Sequence, residues 1–429
     1  MRRERDGFKL SRFLFVVSRI STYIFIAYVL TDLRQGGDLK YVIPYLSGVF
    51  SIAYLVSSRD YALFRSPVFL ALLGYVCVSY LLVPLSFNPH ISFIATNREI
   101  LSGMLLFISL YVHTSSQREA DSMARFLIGM LVVILLGGFL TYLQTSEAGG
   151  IGRHLRPDVH MGFVKFKMHH NGFAMIINIL LPVAVAYCMR LDDEQRVQRY
   201  SVLMVILLSG LAVFLSLSRG GWASLFATSF LWLLMMRRRM KLQRGLLLRF
   251  GLVAFVFIVL LWIGVPDIRE RVFVTADHAK TLNSRTQIWE RHVSAIEQSP
   301  LFGWGYGDNI LWDGKPFTVN RENKTYFFDS LGYHAHNMIL QVLYHQGIIG
   351  LVFFGSFLGA GFWSLLKALR AVRDDLRNRV FLYAFFCMFI SVFVIHGLIE
   401  IVYFTWICLC IGFLMGLQKA CGLLLPRAK

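Results

Sequence analysis

Cysteine is scarce in this sequence, and the six that occur (Cys77, Cys188, Cys387, Cys408, Cys410 and Cys421) lie in or beside apolar runs. They have neither metal-site spacing nor a disulfide framework in the connecting loops, so a stapled or zinc-held fold is excluded and they read as packing residues. Acidic residues are also few, 25 against 43 Lys and Arg, which leaves a net charge of +18. That balance suggests nucleic acid, but the basic residues are not gathered on one face among stacking aromatics, so a nucleic-acid partner is excluded. Internal repeats and low-complexity segments are missing, which weakens the case for a transporter built from recognisable halves. The glycine run Gly303, Gly305 and Gly307 in "PLFGWGYGDN" follows no strand and is interrupted by aromatics. It argues for turns rather than a nucleotide site.

What is abundant is apolar sequence: 56% of residues are hydrophobic. The apolar residues fall in blocks long enough for a roughly 30 Å hydrocarbon core. The blocks run approximately 13–31, 41–57, 66–86, 91–113, 124–144, 170–189, 200–217, 221–236, 246–265, 347–367, 381–397 and 400–418, about twelve spans. The first lacks a small-residue cleavage site and reads as an uncleaved anchor. Arg and Lys concentrate at the start and in alternate connections, which by the positive-inside bias are cytoplasmic, as are both termini. The expected fold is an all-α polytopic membrane protein: helices over 1–265, a large periplasmic loop over 266–335, and a return to the membrane over 336–429. The loop is too aromatic for a linker. Ser284 and Gln287 have the spacing of a capping box, so a helix is expected to begin there and to end at Pro300.

Charged or polar residues beside apolar spans cost roughly 2.5–3.5 kcal/mol each at a helix centre, so the exceptions carry information. Arg219, in "SLSRGGWASLF", sits between two spans with almost no loop. Two readings are open: a snorkelling charge at a tight turn, or an arginine beside a helix N-terminus that binds an anion. Arg285, at the first turn of the expected loop helix, is a second guanidinium, and two together suit a pyrophosphate. His336 opens an apolar helix in "HAHNMILQVLYHQGIIG". It is either a structural histidine or a general base, since a helix N-terminus and nearby arginines disfavour an imidazolium. Arg98 and Glu99, adjacent at the start of a span, bind ligand or simply sit at the interface. Arg153, Arg156, Lys165 and Lys167 form an outward basic cluster, either solvated or steering an anionic headgroup. His396 and Glu400, four apart, have the spacing of a hydrogen-bonded pair.

These residues resemble the O-antigen ligase and polymerase superfamily: "SLSRGG" after a span, "SRTQIWERHVSAIEQSPLFGWGYG" in a long outer loop, then "HN", nine residues and "GIIG". The resemblance covers roughly 210 to 350. It implies a GT-C-like fold in the bacterial inner membrane and an inverting glycosyltransferase that needs no metal or cofactor. The donor is then an undecaprenyl-pyrophosphate-linked glycan and the acceptor a sugar hydroxyl of lipid A-core. By resemblance Arg219 and Arg285 bind the pyrophosphate and His336 activates the acceptor, with Arg98, Asn337 and the 153–167 basic residues as further contacts. The outer loops show no Asp-x-Asp pair for a metal. An O-antigen polymerase or a protein O-oligosaccharyltransferase shares the fold. The chain runs only about ten residues past its last span, which favours the ligase. A lipid or anion transporter is the more distant alternative.

Overall fold

A computed structural model of the chain describes residues 2–31, 39–146, 155–161, 164–237, 279–307, 317–321, 324–328, 334–372, 376–400 and 402–423. Eleven of the twelve apolar blocks fall there, and each is helical; the twelfth, 246–265, lies outside the described residues. Among the described residues, eight helices are long and apolar enough to cross a membrane, and two more, Val42–Ser57 and Phe404–Ala420, are apolar but shorter. The helices leave large apolar side chains facing outward. On the first, Phe13, Val16, Ile20 and Ile24 form such a stripe, unfavourable in water and suited to lipid. The expected helical membrane protein is what forms, with two short β-hairpins besides.

The chain divides into two compact units, one of residues 1–126, 284–382 and 397–429, the other of 127–283 and 383–396. The first contains α1 (Arg2–Thr31), α2 (Leu39–Ser57), α3 (Pro67–Leu82), α4 (Pro89–Ala95), a π-helical segment (Thr96–Leu101) and α5 (Ser102–His113). Ser66 and Asn88 cap α3 and α4 by accepting from the Phe69 and Ile91 amides, and each is followed by the proline that suits a first helical turn. Eleven of the twelve α5 residues are buried, because α5 packs among α1, α2 and the last helix. Small residues allow this. A Cβ on Gly412 would come within 2.8 Å of the Phe107 backbone, and Gly416, one turn on, meets α5 in the same way. Between α1, α2 and α5 runs a chain of buried hydroxyls that ends on a ring: His113 Nε2 to Ser18 at 2.8 Å, Ser18 to Ser51 at 2.6 Å and Ser51 to Ser109 at 3.0 Å. Polar links of this kind contribute about 0.6 kcal/mol each in membranes.

The second unit takes most of α6 (Gln117–Ser146), the hairpin β1 (Asp158–Met161) and β2 (Val164–Lys167), α7 (His170–Arg190), α8 (Arg196–Leu215) and α9 (Arg219–Arg237). The hairpin is antiparallel, Asp158 opposite Lys167. Buried along nearly its whole length, α7 packs on α8 and α9. A second π-helical segment, Phe389–His396, ties to α9 through the Ser224 and Thr228 hydroxyls, which donate to the Ser391 carbonyl at 2.5 Å and to its hydroxyl oxygen at 2.6 Å.

Returning to the first unit, the long loop forms α10 (Ala279–Gln298) and a hairpin of β3 (Phe317–Arg321) and β4 (Lys324–Phe328). The helix ends before Pro300 as expected, but it does not begin at Ser284. The good helix formers Ala279, Lys280 and Leu282 extend it upstream, so the capping-box spacing goes unused and Arg285 is not in the first turn. After the loop come α11 (Met338–Ala371), α12 (Leu376–Met388) and α13 (Phe404–Ala420).

Candidate functional site

His336 does not open α11 itself. Asn337 is the cap, its side-chain oxygen accepting from the Ile339 and Leu340 amides at 3.0 and 3.1 Å, and His336 precedes it in left-handed backbone at φ 47°. Such a conformation costs a non-glycine residue roughly 1–2 kcal/mol, and bonds to its neighbours in the chain maintain it. The Trp289 indole donates to the Ala335 carbonyl at 2.8 Å, the Ala335 amide to Gln341 Oε1 at 2.7 Å, and the Met338 amide to the Gly397 carbonyl at 2.8 Å. Asn337 Nδ2 adds a bond to the Leu398 carbonyl at 3.2 Å.

The turn aims His336 Nδ1 at Glu400 Oε1, 2.6 Å away, with the two side chains 27% and 12% exposed. A carboxylate only accepts, so Nδ1 donates, and it is the other nitrogen, Nε2, that carries the lone pair in the neutral ring. Glu400, expected to pair with His396, hydrogen-bonds His336, 64 residues earlier. Helical spacing pointed to His396, but the chain leaves the π-helical geometry after His396 in a turn, and the i, i+4 relation no longer holds.

The "GWGYG" turn is seated on a break in α11. At Gly347 the backbone adopts φ 62°, ψ −164°, which frees carbonyls and amides on either side. The Trp304 and Gly305 amides donate to the Tyr344 and His345 carbonyls at 3.0 and 2.8 Å, and the Ile348 amide donates to the Pro300 carbonyl at 2.8 Å. A Cβ on Gly347 would collide with the Leu301 carbonyl, and one on Gly303 would lie 2.5 Å from the Gln346 amide. The "HN-nine-GIIG" spacing thus has a physical content: Asn337 starts the helix and Gly347 breaks it where the turn docks. The same turn reaches α4, where the Tyr306 amide donates to Ser92 Oγ at 3.0 Å, and it holds α10 through the Trp304 indole, which donates to the Ala295 carbonyl at 2.7 Å.

Helix α10 carries Arg285 one turn before Trp289, so the helix bearing this arginine is anchored to the residue preceding His336. On the same helix His292 is 2% exposed, donates Nδ1–H to the Ile288 carbonyl at 2.7 Å and meets the Tyr344 ring edge-on at 5.0 Å. Burial pushes its pKa down; the bond to Ile288 opposes this, and the neighbouring rings of His334 and His336 reinforce it.

A cavity of about 280 Å³ adjoins this turn in the first unit. Arg98 and Glu99 line it from the π-helical segment, a geometry frequent at functional sites, and His334 and Met338, which bracket His336, form part of its wall. The Tyr306 hydroxyl donates to Glu99 Oε2 at 2.9 Å. The sequence flagged Arg98 and Glu99 as charges beside a span. Tyr306, Gln341 and His345 carried no signal beyond their place in a turn and a helix.

In the second unit, Arg219 is the first residue of α9. Ser218 Oγ caps the helix by accepting from the Gly221 amide at 3.1 Å, and Leu217 before it is left-handed at φ 56°. Gly221 is required by space, since its Cβ would lie 2.6 Å from that of Ala174, and its carbonyl accepts from Asn178 Nδ2 at 2.9 Å. Of the basic cluster, Arg153 lies outside the described residues, Arg156 precedes the hairpin, Lys165 is on β2, and Lys167 pairs with Asp158 at 3.3 Å. That ion pair gives Lys167 a local partner.

These helices and the polar turn they carry define a multi-pass membrane protein with a histidine–carboxylate pair beside a cavity. Residues 203–355, which include Arg219, Arg285, His336, Asn337 and Gly347, match the family model described as O-antigen ligase. It is 26% identical over 202 residues to the ComP-specific O-oligosaccharyltransferase of Acinetobacter baylyi, a match covering 46% of this chain and 34% of that protein. It is 29% identical over 115 residues to the exopolysaccharide production protein ExoQ of Rhizobium meliloti, covering 27% and 26% respectively. The chain thus spans about a third and about a quarter of these relatives' lengths.

Proposed function

We propose that the protein is an O-antigen ligase of the bacterial inner membrane, with both termini cytoplasmic and its site periplasmic. It transfers glycan from undecaprenyl pyrophosphate to a sugar hydroxyl of lipid A-core with inversion. The observation that carries the reading is the pairing of His336, which the family segment contains, with Glu400, which lies beyond that segment. The acceptor O–H gives its proton to His336 Nε2 as its oxygen bonds to the anomeric carbon. The bond from that carbon to pyrophosphate breaks, and the leaving group keeps the electron pair. Glu400 orients the ring and stabilises the imidazolium that forms, the role a carboxylate plays behind other histidine bases. Arg219, at a helix N-terminus, and Arg285 take the charge growing on the pyrophosphate; Arg98, Asn337 and the 153–167 basic residues contribute lesser contacts.

The oligosaccharyltransferase relative favours a second reading, in which the acceptor is a protein hydroxyl. The two differ only in the acceptor. Purified protein is given lipid-linked glycan with lipid A-core, with further donor, or with an acceptor protein. Glycosylated lipid A-core is the expected product; product only with one of the other acceptors reassigns the enzyme. Proteoliposomes that move labelled lipid and form no glycosyl product would overturn the transferase reading altogether.

A further inference from the structure

The cavity beside the histidine turn is of a size and chemistry that specify its occupant. At about 280 Å³ it lies just below the roughly 300 Å³ at which small-molecule pockets begin, room for one compact ring rather than an oligosaccharide or a long isoprenoid. Its inner wall is apolar and aromatic, with Tyr75, Phe354 and Phe404 in contact with one another at ring separations of 5.2–6.5 Å. Its other wall is polar: Glu99 with the Tyr306 hydroxyl, and Gln341 Nε2 at 2.9 Å from His345 Nε2.

We propose that this cavity is the subsite for the acceptor sugar ring, the ring whose hydroxyl His336 deprotonates; the assignment rests on the transferase reading above. The Glu99 carboxylate on the wall is an acceptor suited to ring hydroxyls. The Tyr306 oxygen, its proton given to Glu99, adds an acceptor, and the Gln341 amide and the Arg98 guanidinium add donors for ring oxygens. The aromatic wall takes the apolar C–H face of the ring. Position completes the assignment. His334 and Met338 on the wall flank His336, and Val402 on the wall follows Glu400 by two residues, so a ring in the cavity presents its hydroxyls to the catalytic pair. The donor, an oligosaccharide on a long isoprenoid, exceeds a cavity of this volume and approaches from outside it.

The test uses the full chain in lipid nanodiscs, with soluble core oligosaccharide as the titrated acceptor and lipid-linked glycan as donor. Glu99→Gln and Tyr306→Phe are expected to raise the acceptor KM at least tenfold and leave the donor KM unchanged. Val342→Phe, which fills the cavity and removes no polar group, is expected to abolish acceptor use while the donor still binds. Saturation-transfer NMR on the oligosaccharide alone is expected to show binding to the unaltered protein and its loss in all three variants. An unchanged acceptor KM and unchanged NMR signal in the variants that fold, or a shift in the donor KM instead, overturns the subsite. If the unaltered protein makes no glycosyl product, the transferase reading fails while the NMR arm still decides the subsite: binding lost in the variants supports it, and binding absent or insensitive to them rejects it.

Discussion

His336 holds a left-handed backbone between an alanine fixed at both polar atoms and the asparagine that caps α11, and the consequence is a ring with one nitrogen on Glu400. His336→Ala is expected to abolish transfer with protein level and donor binding intact; turnover at the unaltered rate would remove the base. Glu400→Gln keeps the size of the group and loses its charge, and is expected to lower kcat by roughly 10²–10⁴-fold, the usual weight of an oriented acid–base pair, with little change in KM. His292 yields a pH prediction. Its pKa is lowered in the folded state, so between the two states the unfolded chain binds the proton more readily. The associated stability is full above the unstructured value of about 6.5 and falls as pH drops below it. The hydrogen-exchange protection of α10, corrected for the pH dependence of the intrinsic exchange rate, is expected to fall on acidification through that range and to lose this dependence in His292→Leu. His336 and Arg219 stood out in the sequence as candidates because a polar residue among apolar ones is locally conspicuous, and Arg285 by its place in the expected loop helix. The bond from His336 to Glu400 was not legible, because the two lie 64 residues apart and local spacing points only to His396.

The breaks matter as much as the helices at the scale of the elements. Helix α11 is interrupted at Gly347, and the turn 300–305 occupies the freed backbone groups. Gly347→Ala adds a left-handed penalty of roughly 1–2 kcal/mol to a collision with the Leu301 carbonyl. It is expected to undock the turn, seen as faster proteolysis between α10 and α11 and a lower Tm. Gly412→Val introduces a side chain 2.8 Å from the Phe107 backbone and is expected to cost about 1–3 kcal/mol by overpacking, measurable as lost thermal stability in detergent. The glycines at 303 and 305 were readable as turn residues from their run alone. That one of these turns needs a broken helix to receive it was not, because a glycine within a helical pattern is locally no different whether it breaks the helix or lies within it. The capping-box spacing at Ser284 misled for the complementary reason: a local motif is outweighed when the residues before it are good helix formers.

For the whole molecule, the experiment that matters is the choice of acceptor, with glycosylated lipid A-core the expected outcome. Apolar blocks of membrane-spanning length determined the multi-pass helical architecture from sequence alone, since in hydrocarbon every backbone polar group must be paired within its own segment and a long apolar run leaves the chain little choice but a helix. The same constraint made Arg98, Arg219 and His336 stand out. The tertiary structure alone decided what surrounds them: Glu400 against His336, the cavity beneath the turn, and the docking of that turn on the break at Gly347. These depend on contacts between segments 40 to 300 residues apart, and such contacts follow from packing, close approach at glycines and hydrogen-bond geometry rather than from any pattern within a single span.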